Sequence, residues 1–295
     1  MDKTRQFNRP HLLIIGCGDV GMRLLPLVRQ RFRVFALTTS AARCTELRQA
    51  GAVPIVADLD QPGTLKRLAG LAQYVVHMAP PQPDGALDLR TRRLAALLPS
   101  GGRVVYVSTS GVYGDCAGEL VSETRTVAPR NARARRRVDA ERVLRDWARR
   151  SGSYLAILRV PGIYAAERLP IKRLKQGTPA LLPADDVFTN HIHADDLAQV
   201  VKLALFRARP GRVYHAVDDS HLKMADYFDT VADAFGLPRP PRLPRAELQA
   251  QVSPMLLSFM SESRRLDNRR LRQELGMRLR HPDVVEAVAA MALAQ

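Results

Sequence analysis

The run Gly16-Cys17-Gly18-Asp19-Val20-Gly21 constrains this chain more than any other stretch. It follows the apolar segment His11–Ile15 and opens the amphipathic segment Val20–Arg31, so a Gly-x-Gly-x-x-Gly spacing falls at a strand-to-helix turn. Each glycine has its own task there. Gly16 permits the tight turn, Gly18 lets backbone come against a pyrophosphate, and Gly21 lets helix and strand pack closely. The helix N-terminus adds free N–H groups and a positive dipole end, both of which attract phosphate. The stretch therefore predicts a dinucleotide site built on Gly16, Gly18, Asp19, Val20 and Gly21.

The next 140 or so residues repeat the same strand–helix rhythm. Short apolar runs at His11–Ile15, Arg33–Thr38, Val53–Ala57, Tyr74–His77, Arg103–Ser108 and Tyr154–Arg159 have the length and composition of strands buried on both faces. Helical segments separate them: Val20–Arg31, Ala41–Ala50, Thr64–Leu68, Ala86–Leu98 and Ala134–Arg150. In the last, Ala140, Val143, Leu144, Trp147 and Ala148 form one apolar stripe, which predicts that the arginines lie mostly outside. Repeated β-α units imply an α/β fold, a doubly wound parallel sheet of Rossmann type with right-handed crossovers.

After Arg159 the rhythm breaks, and Pro161, Gly162, Pro170, Gly177, Pro179 and Pro183 interrupt the chain. Helices are predicted at Ala194–Phe206, Ala225–Phe235, Asn268–Leu275 and Val284–Ala294, with a strand at Val213–Val217 and a proline-rich turn at Leu237–Pro244. The expected organisation is a nucleotide-binding domain over residues 1–160 and a smaller C-terminal substrate region over 161–295. A segment near 187–217 is expected to return to the core.

A chain of 295 residues with 46% apolar content buries a full core. Its apolar runs are strand-length, so no membrane span is expected. Met1–Pro10 is polar and lacks a signal-like apolar region. Cys17, Cys44 and Cys116 are odd in number and widely spaced, which fits a reducing compartment; the cytoplasm is expected. The net charge of +16 is carried almost wholly by arginine, concentrated at Arg130–Arg150 and Arg264–Arg280. Interleaved acids and helical spacing make these runs solvated helix faces, and no aromatic platform supports a nucleic-acid partner.

The end of the second strand bears on the cofactor. A carboxylate there would accept hydrogen bonds from the adenosine ribose and favour NAD(H). Thr38 stands in that place, and the first carboxylate is Glu46. Thr39, Ser40 and Arg43 offer donors for a 2′-phosphate, so NADP(H) is favoured over NAD(H).

Further motifs follow in order: His77-Met78-Ala79-Pro80 after the fourth strand, Ser108-Thr109-Ser110-Gly111-Val112-Tyr113-Gly114 after the fifth, then Glu141, Arg159-Val160-Pro161-Gly162-Ile163-Tyr164, and Asn190-His191-Ile192-His193-Ala194-Asp195-Asp196-Leu197-Ala198. Together they resemble the extended short-chain dehydrogenase/reductase family, the NAD-dependent epimerase/dehydratase group, over about residues 11–280. The resemblance implies cofactor contacts from Asp58 and Leu59 and from His77, Met78 and Ala79. It further implies a substrate oxygen polarised by Thr109, and Asn190 facing substrate. In that family a Tyr-x-x-x-Lys pair precedes the helix glutamate, but counting back from Glu141 gives Arg137 at the lysine place and Arg133 at the tyrosine place.

Arginine does not deprotonate in proteins, so Arg133 is no base, while Arg137 retains a role holding ribose or phosphate. Tyr113 is the remaining acid/base candidate, provided a cation such as Arg133 lowers its pKa. His191 and His193 with Asp195 and Asp196 are read as a structural tie, and no metal is expected. The expected activity is NAD(P)-dependent epimerase/dehydratase-like or reductase chemistry on a small carbonyl or nucleotide-sugar-like substrate. The alternative is a non-catalytic NADP(H)-binding sensor or scaffold. Either a monomer or a homodimer is compatible with the sequence.

Overall fold

The computed structural model describes residues 9–294, so most of the polar stretch Met1–Pro10 lies outside the described residues. Seven strands form one parallel sheet: β1 His11–Ile15, β2 Arg33–Thr38, β3 Val53–Val56, β4 Tyr74–His77, β5 Arg103–Thr109, β6 Tyr154–Val160 and β7 Arg212–His215. Their spatial order is β7-β6-β5-β4-β1-β2-β3. The order reverses between β1 and β4, and ligands of such sheets bind in the crevice at that switch point. Register reinforces the geometry: Ile15 pairs with Leu37 on one side and with His77 on the other, so the loops after β1, β2 and β4 leave the sheet at one level.

Strand side chains alternate between two cores. Leu12 and Ile14 face helix α1 (Asp19–Val28) and a helix at Ala194–Arg207, where Leu24, Leu25, Val200 and Val201 are buried. Leu13 and Ile15 face the opposite side, with Leu94, Leu144 and Trp147 from helices α3 (Leu89–Ala95) and α4 (Ala132–Ser151). α2 (Cys44–Gln49) lies between β2 and β3. A third core gathers Tyr164, Leu174, Tyr227, Val231, Val284 and Val288 from residues beyond the sixth strand. Residues 191–193 pair with Gly162–Tyr164, helix α5 (Ala194–Arg207) packs on α1, and β7 closes the sheet edge against β6.

Several elements differ from the sequence expectation. The helix expected over Ala41–Ala50 is a 3₁₀ turn, Ala41–Arg43, running into α2, and Thr64–Leu68 belongs to a 3₁₀ segment, Pro62–Leu68. The segment Ala86–Leu98 is helical only over Leu89–Ala95, where Asp88 caps by accepting from the Thr91 N–H. The arginines of α4 are not all outside. Arg136 and Arg137 are 6% and 7% exposed: Arg137 lies against the ends of β4 and β5, and Arg136 donates to the Gly85 carbonyl in the loop before α3.

Candidate functional site

The β1–α1 loop gives each glycine a distinct physical role. Gly16 has φ +84°, and a Cβ built on it would stand 2.5 Å from the Ala79 backbone nitrogen. Only glycine lets β1 turn this close to the end of β4. A Cβ on Gly21 would stand 3.0 Å from Cys17 Sγ and 3.4 Å from Met78 Cε, so this glycine brings α1 against the loop. A Cβ on Gly18 would meet nothing within 4 Å. The backbone at Gly18 therefore borders open space at the N-terminus of α1, where unpaired N–H groups converge.

That space is a groove of about 480 Å³, lined by Gly16, Gly18, Thr39, Ser40, Arg43, Asp58, Leu59, Met78 and Ala79, with Arg90 at its rim. Arg43 Nη1 donates to the Cys17 carbonyl at 2.8 Å, and its Nε donates to Glu46 at 2.9 Å, which places the guanidinium between the glycine loop and the β2 end. Thr38 is buried and bonds locally to Ser40, leaving Thr39 and Ser40 exposed. Asp58 accepts from the Asp60 N–H, and Leu59 is buried against the groove wall. Arg90 was not singled out in the sequence. It is fixed by Asp60 and the Pro80 carbonyl, and only the folding of α3 back over the β4 end brings it there.

Other expected cofactor residues stand apart from the groove lining. Asp19 is ion-paired with Arg23 and Arg168. Asp19, Val20 and Gly21 thus sit in the first turn of α1, behind the open face of the loop. His77 is corrected more firmly. Its side chain is 1% exposed, its Nε2 meets Thr91 Oγ1 at 2.9 Å, and burial followed by the Arg137 charge pushes its pKa down to about 3. It is a neutral packing histidine beneath α3, while Met78 and Ala79 after it line the groove.

Thr109 ends β5 and remains partly exposed. Its Oγ1 accepts from the Gly111 N–H at 3.2 Å, which caps the 3₁₀ turn Ser110–Tyr113 and leaves the hydroxyl proton free to donate. Arg137 Nη1 lies within hydrogen-bond reach of the Ala79 carbonyl (3.3 Å), the Tyr106 hydroxyl (3.0 Å) and the Val107 carbonyl (3.2 Å). A cation therefore sits between the β4 and β5 ends, beside the threonine strand.

Two expectations fail. Tyr113 does not face the site: it is 1% exposed, with its hydroxyl 2.6 Å from His215 Nε2 and 2.7 Å from Arg159 Nη1. Burial pushes its pKa up to about 12 despite the Arg159 charge. Arg133 is not among its partners and does not lower it. Asn190 does not face an open site either, because its Oδ1 accepts from the Leu266 N–H and its Nδ2 donates to the Arg264 carbonyl. Both ends of the amide tie down the segment 264–266.

The other histidines and the arginine runs have local explanations. His193, Asp195 and His281 bring potential ligand atoms within 4.8 Å of one another, but Asp195 is held by Arg23 at 2.6 Å. His193 Nδ1 already accepts from the Asp195 N–H. Many arginines of the two basic runs are ion-paired, as in Arg142 with Asp139, Arg145 with Glu141, and Arg269 with Asp267. Among the described residues no helix is long and apolar enough to cross a membrane.

The family described as the NAD dependent epimerase/dehydratase family matches residues 12–217. Among solved structures, a functionally unknown conserved protein from Silicibacter pomeroyi DSS is 29% identical, with 97% of this chain and 99% of that chain covered and a TM-score of 0.79. A dTDP-glucose 4,6-dehydratase from Streptomyces venezuelae, solved with NAD and TYD bound, is 20% identical over 96% of each chain, with a TM-score of 0.75. A UDP-N-acetylglucosamine 4-epimerase from Bacillus cereus is 16% identical over 97% and 98%, with a TM-score of 0.69. No curated protein sequence matches the chain.

Proposed function

The chain belongs to the NAD-dependent epimerase/dehydratase family, and from that premise we propose that it binds a nicotinamide dinucleotide along the groove beside Gly18 and acts as an oxidoreductase or epimerase-like enzyme. Its substrate class is a small carbonyl compound or nucleotide sugar. The observation that carries the reading is the open space at Gly18, flanked by Gly16, which the fold cannot replace, and by Gly21, where a Cβ would be crowded. Such a cradle fits a pyrophosphate, with Asp58 and Leu59 toward the adenine and Met78 and Ala79 toward the nicotinamide end.

NADP(H) is the favoured form. Thr38 provides no carboxylate for the ribose, and Thr39, Ser40 and Arg43 line that end of the groove. Arg43 is ion-paired with Glu46, but the pair is solvent-exposed and so holds the guanidinium only weakly. A charged hydrogen bond to phosphate is worth about 1.5–3 kcal/mol, so the phosphate wins the guanidinium.

When bound, the dinucleotide supplies hydride chemistry. The chain's own residues orient and polarise. Thr109 Oγ1 donates its free proton to the substrate oxygen, and Arg137 fixes positive charge between the β4 and β5 ends. Arginine does not cycle its proton, so the proton moves through water or the substrate itself. Identifying the nucleotide that co-purifies with the chain, then following NADPH absorbance against a panel of carbonyl compounds and nucleotide sugars, tests the reading. Absence of any dinucleotide affinity refutes it.

The burial of Tyr113 favours a second reading, in which the chain binds NADP(H) without turnover as a sensor or scaffold. Tight nucleotide binding with no substrate oxidised or reduced selects that reading. A cytoplasmic monomer or homodimer is proposed with either.

A further inference from the structure

Helix α4 begins with an arrangement that costs stability in the free protein. Arg133, Arg136 and Arg137 occupy its first two turns, with Asn131 as the cap. Positive charge at this end opposes the helix dipole, and like charges three and four residues apart repel. Farther along α4 three arginines meet acids: Arg142 reaches Asp139, Arg145 reaches Glu141, and Arg149 reaches Asp146. Among the described residues, the three at the helix start pair with no carboxylate. Arg136 and Arg137 are more than nine-tenths buried, donate only to Gly85 O and to two carbonyls and a tyrosine hydroxyl, and keep Nε atoms that are buried without a partner. Arg133 is exposed and has no hydrogen-bond partner among the described residues. Partial desolvation and the charges of Arg137 and Arg136 lower its pKa.

We propose that Arg133, with Arg137 behind it, forms an oxyanion-binding subsite at the substrate end of the cleft, so that the substrate carries a carboxylate or phosphate group there. The placement comes from Arg137, whose guanidinium bonds to Ala79 O at the cofactor groove and to Val107 O two residues before Thr109. Arginine suits the task because its charge is permanent and its planar fork matches an oxyanion. A pair that moved a proton is thereby replaced by a pair that holds charge. The inference rests on the dinucleotide reading only for which end of the cleft the subsite occupies.

The test uses the full chain saturated with NADP(H), with thermal unfolding followed while inorganic phosphate or malonate replaces chloride at constant ionic strength. Both anions are expected to raise the melting temperature, the larger rise identifying phosphate or carboxylate as the group held. Arg133→Gln is expected to weaken the midpoint of that response about tenfold, the loss of one charged hydrogen bond. Arg133→Lys is expected to retain part of it. Arg150→Gln, which removes the same charge from the exposed far end of α4, leaves it intact. Without added anion, Arg133→Gln is expected to melt about 1–3 °C higher, because it relieves repulsion at the helix start. Four results overturn the proposal: no rise beyond chloride, a rise unchanged in Arg133→Gln, a rise present in the free chain but erased by saturating NADP(H), or a lower melting temperature for anion-free Arg133→Gln. A chain that shows the Arg133-dependent response yet binds no dinucleotide refutes the proposed function and leaves the subsite standing.

Discussion

Replacing Gly18 and Gly16 in turn separates what the glycine loop does for the fold from what it does for a ligand. Gly18 has φ −83°, ψ −150°, an extended backbone open to any residue, and its Cβ would enter empty space. Gly18→Val therefore meets no clash in the protein. Loss of glycine's unfolded-state entropy gains about 0.4–1 kcal/mol, and a poorer helix cap costs a similar amount, so stability stays within roughly 1 kcal/mol. The same side chain occupies the space where a pyrophosphate would lie against backbone. Losing one or two charged hydrogen bonds, about 1.5–3 kcal/mol each, weakens the dinucleotide by about 10- to 10⁴-fold. Gly16→Ala reverses the pattern. Its φ of +84° and a 2.5 Å approach to Ala79 N combine strain and overlap of about 3 kcal/mol, or roughly 5 °C in melting temperature. Calorimetric titration with NADP(H) alongside scanning calorimetry reads both. Unchanged affinity in Gly18→Val, or unchanged stability in Gly16→Ala, refutes the reasoning.

Three other outcomes follow from single groups. Arg43→Ala is expected to cost about 1–3 kcal/mol in NADP(H) binding and to leave NAD(H) almost untouched; equal losses for both, by titration, remove the 2′-phosphate assignment. Tyr113→Phe leaves Arg159 Nη1 and His215 without the hydroxyl they share, so it is expected to destabilise the fold by about 1–3 kcal/mol while turnover per folded molecule stays constant. A lower rate at unchanged stability would instead restore Tyr113 to the chemistry. Thermal stability is expected to peak near pH ~7. Burial holds His77, His191 and His215 at about 3, below their unfolded value, so their contribution is present above about 6.5 and lost as pH falls. Asp218 is pushed up to about 8 by burial, so its contribution is full below about 4 and lost as pH rises through 8. Three groups outweigh one on the acid side, and Asp218 alone of the four acts on the basic side; melts that rise steadily from pH 6 to 9 contradict this balance.

What could be read from the sequence divides by the range of the interactions involved. The glycine loop, the strands of the first 160 residues and the helices at Ala194 and Val284 rest on patterns a few residues long, and the structure shows elements there with boundaries shifted by a few residues. The residues whose surroundings no local pattern reveals depend on distant partners. Tyr113 meets His215 across 102 positions, Asn190 meets Leu266 across 76, and Arg90 reaches Asp60 across 30. No local period announces such contacts. The stripe of Ala140, Leu144 and Trp147 marks the buried face of α4, but Arg137 meets the ends of β4 and β5 and Arg136 the loop at Gly85.

The two halves of the site are separable because they are made of different material. The groove beside Gly18 is bordered by backbone: a positive-φ glycine, an open glycine and the N-terminus of α1. Its geometry survives substitution anywhere that leaves β1, β4 and α1 packed. A proton relay, by contrast, consists of two side chains on one face of α4, and a change at each position removes it without touching the sheet. With Arg133 and Arg137 there, the helix start holds permanent positive charge, and its partners for Arg137 are carbonyl oxygens and a hydroxyl. Those neutral acceptors satisfy donors without cancelling charge. Arg137 therefore keeps its positive charge at the β5 end, beside the partly exposed Thr109 hydroxyl.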